Sequence, residues 1–321
     1  MNRWGVEELK RNKLKVVDLF CGAGIGACGI KAAGFDMVWA IDNDKYAVDT
    51  YNKNIGNHAI CKNIKDIKPS DIPYHDIMIA TPVCKSFSVA GKGSGFDDEK
   101  TGDLTYHFTR LLRGCMPKAF LFENVAGIVS KMNKNRFLEI VEQIEEYGYK
   151  IKWQVMNCYE YGVPQERKRV FMIGIRSDIK KEFEFPQKIN DCKNIRYAIE
   201  DLINDKYVKN NNETLELGYS SRYKSRNRQR QWDEPSFTII SEVRHLALYP
   251  EPPNYDIRIE DTDKNKPPRR FTVRECLRLQ TVPDWFEFGD NVPLKKQYER
   301  CSGIPSLIAY KLILCIKDVL V

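Results

Sequence analysis

The segment that decides the fold is Asp18-Leu19-Phe20-Cys21-Gly22-Ala23-Gly24-Ile25-Gly26, which follows the run Lys15-Val16-Val17. The apolar run predicts a buried β-strand, and the glycines predict a tight turn that leads into a helix. Glycines at these positions allow backbone N–H groups to approach a ligand at the N-terminus of that helix. The segment therefore predicts the first strand, turn and helix of a ligand-binding α/β domain.

Apolar runs and helical patterns alternate on the C-terminal side of this segment. With the first strand included, the predicted strands are 15–20, 37–41, 58–61, 76–80, 119–122, 150–156 and 170–176. The predicted helices lie near 25–34, 44–54, 103–116 and 134–147. This alternation is typical of a doubly wound, Rossmann-like α/β fold with a parallel sheet.

The composition changes after the last of these strands. Residues 186–268 are rich in Asn, Pro, Arg and Tyr and show helical periodicity only over 195–203. A helical pattern returns over 307–320, with Ser306 as its expected cap. We therefore predict a larger domain over 1–185, completed by a C-terminal helix within 298–321, and a smaller irregular domain with a hinge over 186–297.

Composition and charge exclude several classes of protein. The 321 residues carry 51 Lys and Arg against 44 Asp and Glu, a net charge of +7. No apolar stretch approaches the roughly 18 to 20 residues that cross a bilayer, and the N-terminus lacks a signal-peptide pattern. The ten cysteines include no CxxC pair, so neither a zinc site nor any other metal site is expected. These features predict a cytoplasmic protein without a membrane partner.

Two acidic residues extend the glycine turn into a possible cofactor site. Asp42 closes the second predicted strand, where a carboxylate can accept hydrogen bonds from ribose hydroxyls, and Asp66 follows the third strand, within reach of an adenine ring. The pattern favours an adenosine-containing cofactor. Two alternatives stay open for the turn alone: residues 24–29 also satisfy GxGxxG, as in nicotinamide dehydrogenases, and a glycine-rich turn need not bind a ligand.

A cysteine and a glutamate follow two neighbouring strands of the predicted sheet. Cys84 lies in the loop Thr81-Pro82-Val83-Cys84-Lys85 after strand four, and Glu123 ends strand five. Since strand ends of an open α/β sheet meet over one crevice, both side chains can face one ligand. A thiol suits attack on an electron-poor carbon, and a carboxylic acid suits proton donation. Taken singly, each could equally be a buried thiol or a surface charge.

The order of these motifs resembles the bacterial DNA (cytosine-5)-methyltransferases of restriction–modification systems. The matching residues are Asp18-Leu19-Phe20-x-Gly22-x-Gly24, Asp42, Asp66, Pro82-x-Cys84-x-x-Phe87-Ser88, Asp97-Asp98 through Leu104, Glu123-Asn124-Val125, Gln165-x-Arg167-x-Arg169, Arg270-x-Thr272-x-x-Glu275-x-x-Arg278-x-Gln280, and Pro305. They run through most of the chain.

The resemblance implies a mechanism and a set of site residues. Cys84 would add to C6 of a flipped-out cytosine, Glu123 would engage N3, and Arg167 and Arg169 would hold the base oxygen and orient the acid. The methyl donor would be S-adenosyl-L-methionine, with S-adenosyl-L-homocysteine as product. The implied cofactor-binding residues are Phe20, Gly22, Gly24, Asp42, Asp66, Pro82, Leu104 and Ser302.

The basic run 219–232 identifies a candidate DNA-reading segment within the smaller, target-recognition domain. It alternates basic, amide and aromatic side chains, which suits phosphate contacts and the reading of base edges. The expected DNA-binding residues are Ser88, Gln165, Arg222, Lys224, Arg226, Arg228, Arg230 and Arg244. The continuation 233–250 resembles relatives that modify GGCC, although Ser241-Glu242-Val243 departs from them. A solvated charged loop is the alternative for the basic run.

Three departures from the family pattern keep other functions open. Val83 and Lys85 replace a usual proline and glutamine, Ile25 replaces a common glycine, and Cys301-Ser302 replaces a usual Gly-Asn. One alternative is a methyltransferase that acts on transfer RNA, and another is a catalytically weak protein that only binds DNA. The main prediction is a monomeric enzyme on double-stranded DNA, with a cognate restriction endonuclease as a possible partner and a nucleoid location through DNA.

Overall fold

The computed structural model describes residues 2–82, 104–203, 209, 214–215, 228–250 and 269–321. Within these residues, seven strands form the central sheet: β1 (Lys15–Leu19), β2 (Asp36–Asp42), β3 (Ala59–Cys61), β4 (Ile77–Ala80), β5 (Ala119–Val125), β6 (Tyr149–Asn157) and β8 (Lys168–Arg176). Two short strands, β7 (Gln165–Glu166) and β9 (Ser236–Phe237), pair in parallel to form a separate two-stranded sheet.

Six of the described helices lie where the sequence predicts helical segments, whereas those over 273–279 and 294–300 were not predicted. The helices are α1 (Ile25–Ala32), α2 (Lys45–Asn54), α3 (Leu104–Cys115), α4 (Lys134–Glu146), α5 (Ile195–Ile199), α6 (Val273–Leu279), α7 (Leu294–Arg300) and α8 (Ser306–Leu320). The predicted cap of the last helix is wrong. Ser306 is the first helical residue, and Pro305 occupies the cap position without a side-chain hydrogen bond. The described helices include none long and apolar enough to cross a membrane.

The sheet has the order β3-β2-β1-β4-β5-β8-β6, which confirms the doubly wound α/β fold. Its strands are not all parallel, because β8 runs antiparallel to both β5 and β6. Only residues 158–167 connect β6 to β8, which is too short for the helical crossover that a parallel pair needs. The prediction of a purely parallel sheet is therefore wrong at this edge.

Alternate residues of the central strands pack on opposite faces of the sheet. Val16, Ile79 and Leu121 belong to an apolar cluster shared with α1 and α8, whereas Val17 and Phe122 belong to a second cluster shared with α3 and α4. The first cluster continues into the predicted smaller domain through residues such as Ile239, Val243, Phe271 and Leu277. The described parts of the two predicted domains therefore share one core, and their boundary at 185/186 stays a prediction.

Helix α8 is packed directly onto α1. A Cβ atom added to Gly29 of α1 would lie 2.0 Å from the carbonyl oxygen of Ser306, so the two helices can approach this closely only because residue 29 has no side chain. Two regions almost 280 residues apart in the chain are thus joined beside the glycine turn.

Candidate active site

The glycine turn begins where β1 ends. Phe20, Gly22 and Gly24 have φ angles of 62°, 53° and 87°, and Gly24 occupies the cap position of α1. A Cβ on Gly24 would lie 2.9 Å from Cγ1 of Ile55, whereas one on Gly22 would meet nothing within 4 Å. The turn therefore needs glycine at 24 for conformation and space, and it leaves open space beside Gly22 at the N-terminal end of α1.

Asp42 holds this turn from the end of β2. Its Oδ2 accepts a hydrogen bond of 3.0 Å from Gly22 N, and its Oδ1 accepts one of 2.9 Å from Asp44 N. Burial raises the pKa of the carboxyl, although these two hydrogen bonds oppose the shift. Because each carboxylate oxygen can accept a further hydrogen bond, the half-buried Asp42 can both shape the turn and bind ligand hydroxyls.

Asp18 is a second carboxyl beside the turn and is 5 % exposed on β1. Burial and the nearby Asp42 carboxylate together raise the pKa of Asp18 to about 8. The turn thus places two acids close together in a site from which water is largely excluded. A ligand that carries positive charge would favour ionisation of the buried Asp18 carboxyl.

The other predicted cofactor residues lie at several places around the sheet. Asp66 is exposed in a short 3-10 turn after β3, and Leu104 is the half-buried first residue of α3. Pro82 is buried, and its carbonyl oxygen lies 3.5 Å from Asn124 Nδ2 of β5. Ser302 is half-buried just before α8. Sequence reasoning named Asn124 only as part of a motif and missed its role in tying the loop after β4 to β5.

Glu123 lies near the end of β5 with two arginines around it. The carboxyl group is 8 % exposed, with Arg169 Nε at 3.1 Å and Arg167 Nη2 at 3.9 Å from Oε1. Neither contact has hydrogen-bond geometry, and Oε1 accepts no hydrogen bond from the described residues. The carboxylate is therefore charge-compensated and retains hydrogen-bonding capacity for a ligand.

The register of the sheet explains this cluster. Glu123 pairs with Phe171 of β8, and Val125 pairs with Arg169. Arg169 therefore lies on the same face of the sheet as Glu123 and diagonal to it, because side chains two residues apart on a strand share a face. Reversal of β8 thus brings the arginines of the Gln165-x-Arg167-x-Arg169 motif to the end of β5.

Gln165, which we predicted to bind DNA, is hydrogen-bonded to other parts of the protein. Its side chain is fully buried, with Nε2 donating to Leu279 O at 2.7 Å and Oε1 accepting from Ile239 N at 3.0 Å. The buried amide therefore joins the strand before Arg167 to two segments much later in the chain. Pairing across more than 70 residues gives no local signal in the sequence.

Two predicted DNA-binding arginines are engaged within the protein. Arg230 pairs with Glu166 at 2.6 Å and with Glu234 at 3.1 Å, and Arg228 donates to His245 O at 2.6 Å. Both guanidinium groups also lie over the ring of Phe237. In this conformation they organise the segment around β9, and their assignment as DNA-binding residues stays a prediction.

Arg244 remains an exposed cation beside this segment. Five predicted site residues, Cys84, Ser88, Arg222, Lys224 and Arg226, lie outside the described residues, as does the departure at Val83 and Lys85. The described residues include no group of three or more His, Cys, Asp and Glu side chains that could hold a metal ion.

The departure at Ile25 lies next to Gly303, the residue that follows the departure at Cys301-Ser302. A Cβ built on Gly303 would lie 3.5 Å from the Cβ of Ile25, which is an ordinary contact distance. The side chain of Ile25 therefore packs beside a residue that has none. Cys301, next to Ser302, is buried and donates to Gln297 O at 3.3 Å. The side chains that replace the usual glycines are thus accommodated by local packing.

Comparison with known proteins identifies the family. A model described as C-5 cytosine-specific DNA methylase matches residues 14–313. The chain belongs to this family. The methylase is 40% identical over 320 residues to the type II methyltransferase M.MthTI of Methanothermobacter thermautotrophicus, with 91% of this chain and 97% of the relative covered. It is 35% identical to M.FnuDI of Fusobacterium nucleatum, with 96% and 95% covered.

Solved structures show the same fold at lower identity. The methylase superposes on the Entamoeba histolytica methyltransferase EhMeth with a TM-score of 0.75 at 18% identity, covering 97% of this chain and 100% of that one. It superposes on the Dnmt2 methyltransferase of S. pombe with a TM-score of 0.71 at 20% identity, covering 95% and 98%. Family and relatives together make the protein a DNA cytosine-5-methyltransferase of the restriction–modification type, with DNA as its substrate.

Proposed function

We propose that the methylase transfers a methyl group from S-adenosyl-L-methionine to C5 of a flipped-out cytosine, in a short specific sequence of double-stranded DNA. The observation that carries the proposal is the buried Glu123 carboxylate, which has two arginines beside it and an open hydrogen-bonding position, at the edge of the sheet where the glycine turn also lies. An acid and a cofactor turn at one edge are the arrangement that this reaction needs.

The glycine turn and its acids suit this cofactor chemically. When bound, S-adenosyl-L-methionine supplies an electrophilic methyl group on a positively charged sulfur. Asp42 accepts a hydrogen bond from Gly22 N in the turn and would also accept from the ribose hydroxyls. The positive sulfur of the bound cofactor would favour the ionised form of the buried Asp18 carboxyl. Phe20, Pro82, Leu104 and Ser302 would surround the remainder, with Asp66 at the adenine.

Each of the residues around the flipped-out cytosine, namely Cys84, Glu123, Arg167 and Arg169, would have a separate role in the reaction. The Cys84 thiolate would add to cytosine C6 while Glu123 engages N3, so that electron density moves to C5 and makes it nucleophilic. After C5 gains the methyl group, loss of the C5 proton to a base and departure of Cys84 from C6 would restore the aromatic ring. Arg169 lies 3.1 Å from Glu123 and would orient this acid and hold the base oxygen.

The base must leave the helix for this chemistry, since C5 and C6 cannot be approached in this way inside a stacked duplex. One flipped base per event requires only one copy of the enzyme, so we propose a monomer. The net charge of +7 and the exposed Arg244 support binding to duplex DNA. A cognate endonuclease that cuts the same site is the expected partner, and GGCC is the first target to test.

The test is methylation-sensitive sequencing of plasmid DNA from cells that express the protein, with Cys84→Ser in parallel. We expect C5-methylated cytosines within one short motif, and none with the variant. Full methylation by Cys84→Ser would overturn the covalent mechanism. An unmethylated plasmid from soluble wild-type protein would overturn the proposed substrate, and methylation of transfer RNA in the same cells would identify the alternative.

A further inference from the structure

The backbone of Ile239 connects the segment around β9 to the arginine cluster of the active site. Ile239 is fully buried and uses both of its backbone polar groups. Its N–H donates to Gln165 Oε1 at 3.0 Å, and its carbonyl oxygen accepts from Arg167 Nη1 at 3.1 Å. The backbone of one residue therefore links two side chains of the Gln165-x-Arg167 motif.

The Gln165 amide is fixed on its other side as well. Its Nε2 donates to Leu279 O at 2.7 Å and to Gln280 Oε1 at 2.9 Å. Gln280 in turn donates from Nε2 to Cys301 O at 2.9 Å. With both amide atoms paired in a dry site, the Gln165 side chain has one orientation, which holds Ile239 in place.

Arg167 needs this support because its charge lies inside the protein. It is 2 % exposed, and its Nη2 lies 3.9 Å from Glu123 Oε1, too far for a direct hydrogen bond to hold it there. The hydrogen bond from Nη1 to Ile239 O turns the guanidinium group so that Nη2 faces the acid. The backbone of Ile239 is therefore one of the contacts that set the orientation of the Arg167 guanidinium group.

We propose that Gln165 is a positioning residue for methyl transfer: through the backbone of Ile239 it orients Arg167 beside Glu123. The inference rests on the proposed function. It gives the segment 236–239, which belongs to the predicted target-recognition domain, a direct part in the geometry of the acid. Displacement of the segment 236–239 would therefore move Arg167 relative to Glu123.

The first experiment is a double-mutant cycle with Gln165→Leu and Arg167→Ala, measured as single-turnover methylation of duplex DNA. Leu is similar in size to Gln and lacks the amide. We expect Gln165→Leu to lower the rate about 10-fold to 100-fold and to change KM for DNA and cofactor less than about twofold. In the Arg167→Ala background the same substitution should change the rate less than about twofold.

Thr238→Val is the matched control. It removes the 2.5 Å hydrogen bond from Thr238 Oγ1 to Glu166 O, which joins the same two segments but uses neither the Ile239 N–H and C=O groups nor the Arg167 side chain. We expect its rate to stay within about twofold of wild type. Equal losses from Thr238→Val and Gln165→Leu, or independent effects of Gln165→Leu and Arg167→Ala, would overturn the proposal.

Two measurements keep the inference testable if Gln165→Leu fails to fold or the wild type proves inactive. Incorporation of an α-hydroxy acid at 239 replaces the N–H by an ester oxygen and leaves every side chain intact, and it should reproduce the loss of rate. If the wild type is inactive, the proposed function is overturned, and NMR of labelled arginine can still test whether the backbone of Ile239 orients Arg167. The Arg167 guanidinium signal, assigned with Arg167→Lys, should show slow rotation that the ester abolishes. Unchanged rotation would overturn the inference.

Discussion

At the end of β5, Arg167 and Arg169 approach one buried carboxylate, whereas Arg230 near β9 is held between two more exposed ones. Both groups of arginines come from basic stretches that look alike in the sequence. At Glu123 the acid retains an oxygen without a hydrogen bond among the described residues, so a ligand can still bind it. At Glu166 and Glu234 the acids face solvent, and their pairing with Arg230 orders the segment.

The difference shows that burial of the acid decides what a neighbouring arginine does. A buried carboxylate that has lost its water depends on its cationic neighbours, and removing one of them is costly. An exposed pair in high dielectric contributes little. Substitutions at the β5 edge should therefore affect turnover, and matched substitutions around β9 should not.

The largest contrast is expected between Glu123→Gln and Glu166→Gln. Glu123→Gln removes the group that would protonate or engage the base, and we expect kcat to fall about 10²-fold to 10⁴-fold. Glu166→Gln removes only one of the two exposed carboxylate partners of Arg230 and should leave kcat within about threefold. Single-turnover methylation assays measure both. Comparable losses from the two variants would remove the distinction between the two regions.

The arginines themselves should show a smaller contrast. Arg169→Lys keeps the charge but loses the planar group whose Nε lies 3.1 Å from Glu123, so we expect kcat to fall about 10-fold to 100-fold. Arg230→Lys should retain kcat within about threefold, because its partners are exposed. Single-turnover methylation assays measure both variants. A retained rate in Arg169→Lys would show that a positive charge beside Glu123 is sufficient for activity and that the planar guanidinium group is not needed.

The contributions of Asp18 and Asp233 to folding stability should change in opposite directions with pH. Burial and Asp42 raise the pKa of Asp18 to about 8 in the folded protein, above its value near 4 in the unfolded chain. The folded state therefore binds more protons between these values, and its stability falls as the pH rises from about 4 to 8. The advantage in melting temperature of Asp18→Asn over wild type should grow by about 5 °C or more between pH 5 and pH 9.

Asp233 is the control for this titration. Its ion pair with Arg196 lowers the pKa of its exposed carboxyl, so its contribution is present above the unfolded pKa and is lost as the pH falls. Asp233→Asn should show no advantage that grows towards pH 9 in the same melting series. An equal pH response of the two variants would mean that Asp18 is hydrated in solution.

The smallest effect is expected at Arg244. Arg244→Ala should weaken DNA binding several-fold and reduce the slope of log K against log salt by about 1, as loss of one phosphate contact does. Arg228→Ala should instead lower the melting temperature, because Arg228 donates to His245 O at 2.6 Å. Binding titrations at several salt concentrations and thermal melts separate the two roles. An unchanged salt slope in Arg244→Ala would show that Arg244 does not contact a DNA phosphate.

Much of the fold was predictable because its signals are local. Strand β1 was expected at 15–20 and spans Lys15–Leu19, and α2 was expected at 44–54 and spans Lys45–Asn54. Apolar periodicity and a capping Asp44 are sufficient for such elements. The direction of β8 was also accessible in principle, since ten residues between two strands favour an antiparallel connection.

The site was predictable only where its residues lie at the ends of strands. Glu123 fits that rule. The environments of Gln165 and Arg230 do not, because their partners come from segments whose pairing is decided by the tertiary fold. Gln165 meets Ile239 and Leu279, and Arg230 meets Glu166. Such partners cannot be predicted from the presence of a single glutamine or arginine in the sequence.

The close contact between α1 and α8 has a consequence for synthesis of the protein. Helix α1 ends at Ala32 and its covering helix begins at Ser306, so at 5 to 20 residues per second the ribosome needs roughly 15 to 55 s to make the chain between them. During this time the apolar face of α1 beside Gly29 lacks its partner. The nascent chain must be kept from aggregating until α8 has been synthesised. Only then can α8 pack on α1 beside the glycine turn.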